Sequence, residues 1–210
     1  MKRKERIYLT LFAVTGVGYL PFAHWISTTP VGTSLFLWLG FFYGIAFLLA
    51  VLALPTSLIG LFFKRYRRDA LLILILSLIY VSGCIYGIQL GQRVRMARMA
   101  DFAERSQFLV EAIEAYTRDH ARPPETLEQL VPDYLTAVPG TGMMAYPEYE
   151  YHTGEKVRER YQENPWVLIV PTSIGFVNWD QMLYFPRQNY PKRGYGGGLE
   201  PVGNWAYVHE

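Results

Sequence analysis

Three long stretches in the first half of the chain lack any Lys, Arg, Asp or Glu side chain. They are Ile7–Ile26, Val31–Phe63 and Ala70–Gly91, with 20, 33 and 22 residues. An α-helix needs about 20 apolar residues to cross the hydrocarbon core of a bilayer, which is about 30 Å thick. The pattern therefore predicts a multi-pass membrane protein with three spanning helices. We expect Pro55 to end or kink the second helix, which would leave Leu58–Phe63 at the membrane interface.

The hydrophobic pattern changes after residue 91. Apolar side chains now recur about every 3.6 residues, at Phe102, Leu109, Ala112, Ile113 and Tyr116. No proline occurs in residues 70–120, so we expect the third span to continue past Gly91 as one amphipathic helix. Pro123-Pro124 should stop this helix, and a short helix over residues 125–135 should follow.

The last third of the chain has the alternating pattern of short antiparallel strands. Four runs bounded by Gly, Pro or Asn are predicted as strands: Glu148–His152, Trp166–Val170, Met182–Phe185 and Trp205–His209. The segment Lys192–Gly198 is predicted as a flexible loop. The expected fold class is an α+β membrane protein, in which the long helix packs on one face of a small antiparallel sheet and leaves the other face free.

Charge divides the chain into two parts. Residues 1–91 carry a net charge of +6 and residues 92–210 a net charge of −4. This difference predicts a membrane anchor over 1–91 and a separate domain over 92–210. Eight basic residues lie in the N-terminal segment and in Lys64–Arg68, which favours a cytoplasmic N terminus and an extracytoplasmic second domain. The acidic second domain argues against nucleic acid as a partner.

Glycine spacing suggests close helix packing in the anchor. Gly83, Gly87 and Gly91 share one face of the third span, and Gly40 and Gly44 form a similar pair in the second. We expect these faces to join helices two and three, or two copies of the chain. His24 lies near the end of the first span, where an interfacial position is expected.

A segment near the middle of the chain resembles a known family. The run Ile113–Tyr116 is followed by Asp119-His120, Pro124, Leu127–Pro132, Tyr134-Leu135 and Val138-Pro139, and then by the YPEYEY of residues 146–151. This order is similar to that of the soluble domain of type II secretion major pseudopilins. The resemblance covers about residues 109–151 and implies a pilin-like domain in the periplasm, anchored in the inner membrane of a bacterium.

Three features depart from the pilin pattern. Two extra spans precede the pilin-like helix, Ala70–Gly91 contains no glutamate, and no Gly or Ala in Lys64–Asp69 marks a prepilin peptidase site. We therefore expect the chain to remain uncut and permanently anchored.

Catalytic patterns are sparse. His120, His152 and His209 lie in unrelated segments without metal-binding spacing, and Cys84 falls within a predicted span. The sequence predicts a protein that is not an enzyme and that has no catalytic, cofactor-binding or metal-binding residues. The family resemblance implies a calcium loop, to which Asn178, Asp180 and Asn189 could contribute oxygen atoms, but no dense acidic cluster accompanies them.

Aromatic residues are the candidates for a binding surface. Those proposed as a possible interaction surface are Trp179, Tyr190, Tyr195, Trp205 and Tyr207. The alternation of Trp205 and Tyr207 with Ala206 and Val208 also suits a core face, and we favour that interpretation. The function expected is a non-catalytic interaction or scaffold module that binds an envelope protein or a second copy of itself. The alternative is an extracytoplasmic sensor or a module that binds a small ligand or glycan.

Overall fold

The structure, a computed structural model, describes residues 3–31, 35–173 and 178–210. The chain forms two compact units. One consists of Met1–Ser27 with Thr33–Arg95, and the other of Thr28–Gly32 with Met96–Glu210. In α3 the two units therefore divide between Arg95 and Met96. The charge pattern predicts this boundary four residues earlier, between residues 91 and 92.

Five α-helices and one 3₁₀ helix are found among the described residues. The α-helices are α1 (Arg3–Ser27), α2 (Leu35–Gly60), α3 (Arg67–Arg105), α4 (Gln107–His120) and α5 (Glu155–Arg160), and the 3₁₀ helix is Leu127–Leu130. Three of the helical segments are long and apolar enough to cross a membrane: Lys4–Ser27, Leu39–Gly60 and Arg67–His120. The prediction of three such helices is confirmed.

The second helix does not end at its proline. α2 continues through Pro55 to Gly60, so Pro55 does not end the helix, and the alternative that it kinks the helix stays a prediction. The hydroxyl group of Ser57 donates to the carbonyl oxygen of Ala53 at 2.6 Å, and that of Thr56 donates to Leu52 at 3.2 Å. These bonds reinforce the turn around the proline, which itself removes only one backbone donor.

Glycines of α3 pack against α1, and not against α2 as predicted. A Cβ atom on Gly87 would lie only 2.7 Å from the carbonyl oxygen of Gly16, and one on Gly91 would lie 3.0 Å from Cδ2 of His24. The pair in α2 makes no such approach to the described residues. A Cβ atom on Gly40 would lie 3.9 Å from the Tyr19 hydroxyl oxygen, and one on Gly44 would have no described neighbour within 4 Å. Only close contact between two backbones requires glycine.

The packing of α2 in the first unit depends on an aromatic side chain. The hydroxyl group of Tyr43 donates a 2.7 Å hydrogen bond to the carbonyl oxygen of Gly16, and its ring stacks on Tyr19 at 4.7 Å. Tyr43 also packs on the buried group Ala50, Tyr80 and Cys84. At this level a side chain bridges α2 to α1, whereas α1 and α3 meet backbone to backbone at Gly16 and Gly87.

The predicted continuity of α3 past Gly91 is confirmed, because residues 91–97 are helical. A single residue, Ser106, separates α3 from α4, and its hydroxyl group donates to the carbonyl oxygen of Ala103 at 2.9 Å. The expected stripe of Phe102, Leu109, Ala112, Ile113 and Tyr116 is buried throughout.

The short helix after Pro124 is smaller than predicted. It is a 3₁₀ helix confined to Leu127–Leu130, and Val131 is already extended, with φ −98° and ψ 135°. Pro132 explains this early end, because a proline disfavours the helical conformation of the residue before it.

A six-stranded antiparallel sheet completes the second unit. Its strands are β1 (Glu150–Thr153), β2 (Trp166–Pro171), β3 (Gln181–Tyr184), β4 (Arg193–Gly194), β5 (Gly197–Val202) and β6 (Trp205–His209). Their order in the sheet is β1-β2-β3-β6-β5-β4. The four predicted strands correspond to β1, β2, β3 and β6.

The segment predicted as a flexible loop is a β-hairpin. β4 and β5 pair Arg193 with Gly198 and Gly194 with Gly197. The turn residues Tyr195 and Gly196 have positive φ angles of 55° and 102°, as the tight turns of two-residue hairpins require. Glycine-rich strands carry little alternation of apolar and polar side chains, so the pattern could not reveal this pair.

Both faces of the sheet are covered, and the prediction of a free face is wrong. On one face Trp205 contacts Phe102 of α3, with ring centroids 5.1 Å apart. The other face buries a cluster made of Val157, Tyr161, Val167, Ile169, Leu183, Phe185 and Val208. α5 and the segment that follows it form this second layer, which strand alternation alone did not reveal.

Candidate functional site

Two of the five aromatic residues predicted as an interaction surface belong to the core. Trp205 is 1% exposed and Tyr207 is fully buried. The Tyr207 hydroxyl group donates to Oδ2 of Asp180. These two side chains therefore cannot present a surface to a partner. Their burial agrees with the favoured interpretation that this face of β6 lies in the core.

Tyr190 and Tyr195 are half-buried and pack on the second sheet face. Tyr190 stacks on Phe185 at 4.9 Å, and its hydroxyl group accepts a bond from the Phe185 backbone N–H and donates to the Asn204 carbonyl oxygen. Tyr195 stacks on Tyr161 at 5.3 Å. Only Trp179, at 65% exposed, is open to solvent among the five. The predicted residues do not form one continuous surface.

The oxygen atoms considered for calcium already accept hydrogen bonds from the protein. Asp180 accepts bonds from the Tyr207 hydroxyl group and from the backbone N–H of Glu210. Asn189 accepts a 2.7 Å bond from the side chain of Asn164. Within residues 3–31, 35–173 and 178–210, no three His, Cys, Asp or Glu side chains are grouped as a metal site.

A groove on the second unit has features that the sequence patterns did not single out. Its volume is about 450 Å³, and it lies between the 3₁₀ helix, the segment 138–140 and the start of β1. We call it the glutamate groove after the three glutamates in its lining. The lining residues are Glu125, Thr126, Leu127, Glu128, Val138, Pro139, Gly140, Pro147, Glu148, Tyr149 and Tyr151.

Hydrogen bonds hold the walls of the glutamate groove in place. The Tyr151 hydroxyl group donates to the carbonyl oxygen of Pro124 at 2.8 Å, which joins β1 to the segment before the 3₁₀ helix. The side-chain oxygen of Gln129 accepts bonds from the Glu125 backbone N–H and from the Tyr116 hydroxyl group. This wall is therefore tied to α4 as well as to the sheet.

The groove has an acidic rim. Glu125, Glu128 and Glu148 are exposed, and the hydroxyl group of Thr126 lowers the pKa of Glu128 below its usual value. Its carboxylate therefore stays ionised at neutral pH. None of the described lining residues is Lys, Arg or His, although Arg122, 3.5 Å from Glu125, lies in the neighbouring cavity.

Two tyrosines form the other wall. Burial raises the pKa of Tyr149, and the nearby Arg105 opposes that shift. Burial also raises the pKa of Tyr151. Both phenols are thus protonated at neutral pH and offer flat, partly apolar surfaces next to the carboxylates. The combination suits a cationic group carried on an apolar or extended chain.

The sequence contains a weak signal of this groove. Glu125 and Glu128 are three residues apart, one before and one within the 3₁₀ helix. Glu148 and Tyr149 directly precede β1, in which Tyr151 follows. Neither pattern shows that the two segments meet.

Comparison of the chain with protein-family models, with curated proteins and with solved structures finds no match.

Proposed function

We propose that this chain is a membrane-anchored, non-catalytic interaction module of the bacterial cell envelope. Its first unit would hold it in the inner membrane, and its second unit would bind a partner protein outside the cytoplasm. The single observation that carries the proposal is the glutamate groove, a preformed, acidic and partly aromatic concavity on the second unit.

The membrane anchor is supported by composition and length. α1, α2 and the first part of α3 have mean hydropathies of 1.4, 2.1 and 2.4 over their most apolar windows. The basic residues of 1–6 and 64–68 favour a cytoplasmic location for both segments, with residues 96–210 on the opposite side.

A pilin-like design is consistent with the order of elements in the second unit. A helix with a buried apolar stripe precedes an antiparallel sheet, and a short helical turn connects them. The two additional apolar helices and the second covered sheet face distinguish this chain from that design. We therefore propose a fixed, pseudopilin-like module rather than a subunit released into a filament.

The chemistry of the groove indicates the kind of partner. Three exposed carboxylates on one concave surface attract Lys or Arg side chains, and electrostatic complementarity contributes both rate and specificity to association. Tyr149 and Tyr151 add stacking surfaces for the stems of such side chains. We propose an extended basic segment of another envelope protein as the occupant.

Site-specific photo-crosslinking in cells tests the proposal. A photoreactive residue replaces Glu128 or Glu148 in the groove, or Glu159 on α5, which is exposed and outside the groove lining. We expect both groove positions to give an adduct with the same envelope protein, and the α5 position to give none. Glu128→Lys combined with Glu148→Lys should reduce co-purification of that protein at least tenfold, and no reduction would contradict the proposal.

The volume of the groove also favours a second candidate function, the binding of a small cationic ligand by a sensor domain. Ligand sites commonly measure about 300–1,000 Å³, and this groove measures about 450 Å³. A sensor would give no protein adduct from either groove position. Mass spectrometry of gently purified samples would instead detect the ligand on the unmodified chain and not on the chain with Glu128→Lys and Glu148→Lys.

A further inference from the structure

A second concavity lies within the first unit, among α1, α2 and α3. Its volume is about 560 Å³, and its lining is predominantly apolar. α2 contributes Ala46, Ala50 and Ala53, while Phe12 of α1 and Ile73 and Ser77 of α3 form other parts of the wall. We call it the alanine groove.

Small side chains create this space. Ala46, Ala50 and Ala53 are four and three residues apart, so they share one face of α2. Because alanine is short, the helices leave a gap at this level. The α1–α3 contact borders this space, because a Cβ atom on Gly16 would lie 3.0 Å from the carbonyl oxygen of Tyr80, and Tyr80 lines the groove.

The alanine groove lies near the basic end of the unit. Arg68 of α3 pairs with Glu5 of α1 at 2.9 Å, which places the beginnings of these two helices side by side. Ile73 is five residues beyond Arg68, or about 7.5 Å along a helix that rises 1.5 Å per residue. A chain-like molecule in the groove would therefore end close to the positive charges.

Most of these positive charges are exposed. Lys64, Arg65 and Arg67 lie in or next to the turn between α2 and α3, and all three are open to solvent. Beside them, Phe62 is 86% exposed and Phe63 is 57% exposed. Basic and aromatic side chains together at a membrane surface favour negatively charged headgroups.

We propose that the alanine groove and the basic turn form one binding site for an anionic glycerophospholipid. One acyl chain would occupy the groove, and the phosphate group would lie against Lys64, Arg65 and Arg67. A phospholipid combines a long apolar chain with a negative charge at one end, as this arrangement of groove and turn requires. The inference rests on the membrane placement proposed above.

Native mass spectrometry of the full chain in a mild non-ionic detergent tests this site. Phosphatidylglycerol and phosphatidylcholine with identical acyl chains are titrated separately. We expect the first phosphatidylglycerol to bind about a hundredfold more tightly than phosphatidylcholine, because each of the three basic residues at the surface contributes about 1 kcal/mol toward an anionic headgroup and about 1.4 kcal/mol is a factor of ten. Equal affinities would overturn the headgroup assignment.

Two sets of variants separate the parts of the site. Arg65→Gln with Arg67→Gln changes only exposed side chains and should reduce the preference for phosphatidylglycerol over phosphatidylcholine at least tenfold. An unchanged preference would overturn the headgroup assignment. Ala53→Phe should fill the groove and weaken binding of both lipids about tenfold. Its control is Leu52→Phe, at a position that is 63% exposed and outside the groove lining.

The remaining outcomes are distinct. Equal binding by the Ala53→Phe and Leu52→Phe variants would overturn the groove assignment. A lipid-free dimer that Ala53→Phe disrupts would assign the groove to a second copy and overturn the lipid proposal. Recovery of the chain in the soluble fraction after alkaline carbonate extraction would contradict the membrane placement itself, before any lipid is tested.

Discussion

Trp205 illustrates how much one aromatic side chain contributes to the second unit. It is 1% exposed and contacts both Phe102 of α3 and Tyr184 of β3, with ring centroids 5.1 and 5.4 Å apart. Trp205→Ala should reduce the free energy of unfolding by about 3–5 kcal/mol, through lost burial and the cavity left behind. Near-ultraviolet circular dichroism during thermal unfolding of the detergent-solubilised chain measures the effect.

Trp179→Ala is the matched control, because this tryptophan is 65% exposed. Its effect on the free energy of unfolding should be within about 0.5 kcal/mol. An unchanged midpoint for Trp205→Ala would contradict the core assignment.

Tyr134 provides a prediction about pH. Its hydroxyl group donates to Oδ2 of Asp119 at 2.6 Å, and that bond is the main reason why its pKa is raised to about 12. An unfolded tyrosine titrates near pH 10. The folded protein thus holds this proton more tightly, so the contribution of the bond is complete below pH 10 and disappears as the pH rises toward 12.

Tyr134→Phe removes that contribution, so the stability difference between the original chain and the variant should be constant from pH 7 to about pH 9 and should shrink above pH 10. Urea midpoints measured across this range test the expected direction. A difference that grows between pH 10 and pH 12 would contradict it.

At the scale of elements, the contact between α1 and α3 depends on missing side chains. A Cβ atom on Gly87 would lie 2.7 Å from the Gly16 carbonyl oxygen and 2.9 Å from that of Val17. Gly87→Ala should therefore separate the helices and reduce the free energy of unfolding by about 1–3 kcal/mol. The thermal midpoint of the detergent-solubilised chain measures the loss.

Gly44→Ala is the control for this contact, since none of the described neighbouring atoms lies within 4 Å of the position of its Cβ atom. This change should leave the midpoint unchanged or slightly raised, because alanine favours the helix over glycine. Equal losses for the two variants would show that the α1–α3 contact does not limit stability.

At the scale of the whole molecule, the basic residues of 1–6 and 64–68 predict the orientation in the membrane. In cells freed of any outer membrane, Glu159→Cys should react with a membrane-impermeant thiol reagent, whereas Lys64→Cys should react only after permeabilisation. The native Cys84 is 1% exposed and serves as an internal control for lack of reaction. Labelling in the opposite order would reverse the proposed orientation.

The elements that sequence predicted well depend on local information. The apolar character of α1, α2 and α3 can be counted along the chain, as can the helical period of the stripe from Phe102 to Tyr116. The strands β2, β3 and β6 also carry enough branched and aromatic side chains to be recognised. Each of these features follows from residues that are neighbours in sequence.

Tertiary structure alone decided the remaining features. Contacts between distant segments decide that Gly87 packs on α1 and that α5 covers the second sheet face. Such contacts also decide that the glycine-rich β4 and β5 pair. The glutamate groove has the same origin, because Glu125 and Glu128 meet Glu148 only after β1 docks beside the 3₁₀ helix through Tyr151 and Pro124. Periodicity specifies which face of an element is buried, but the element that covers it is selected by packing across the fold.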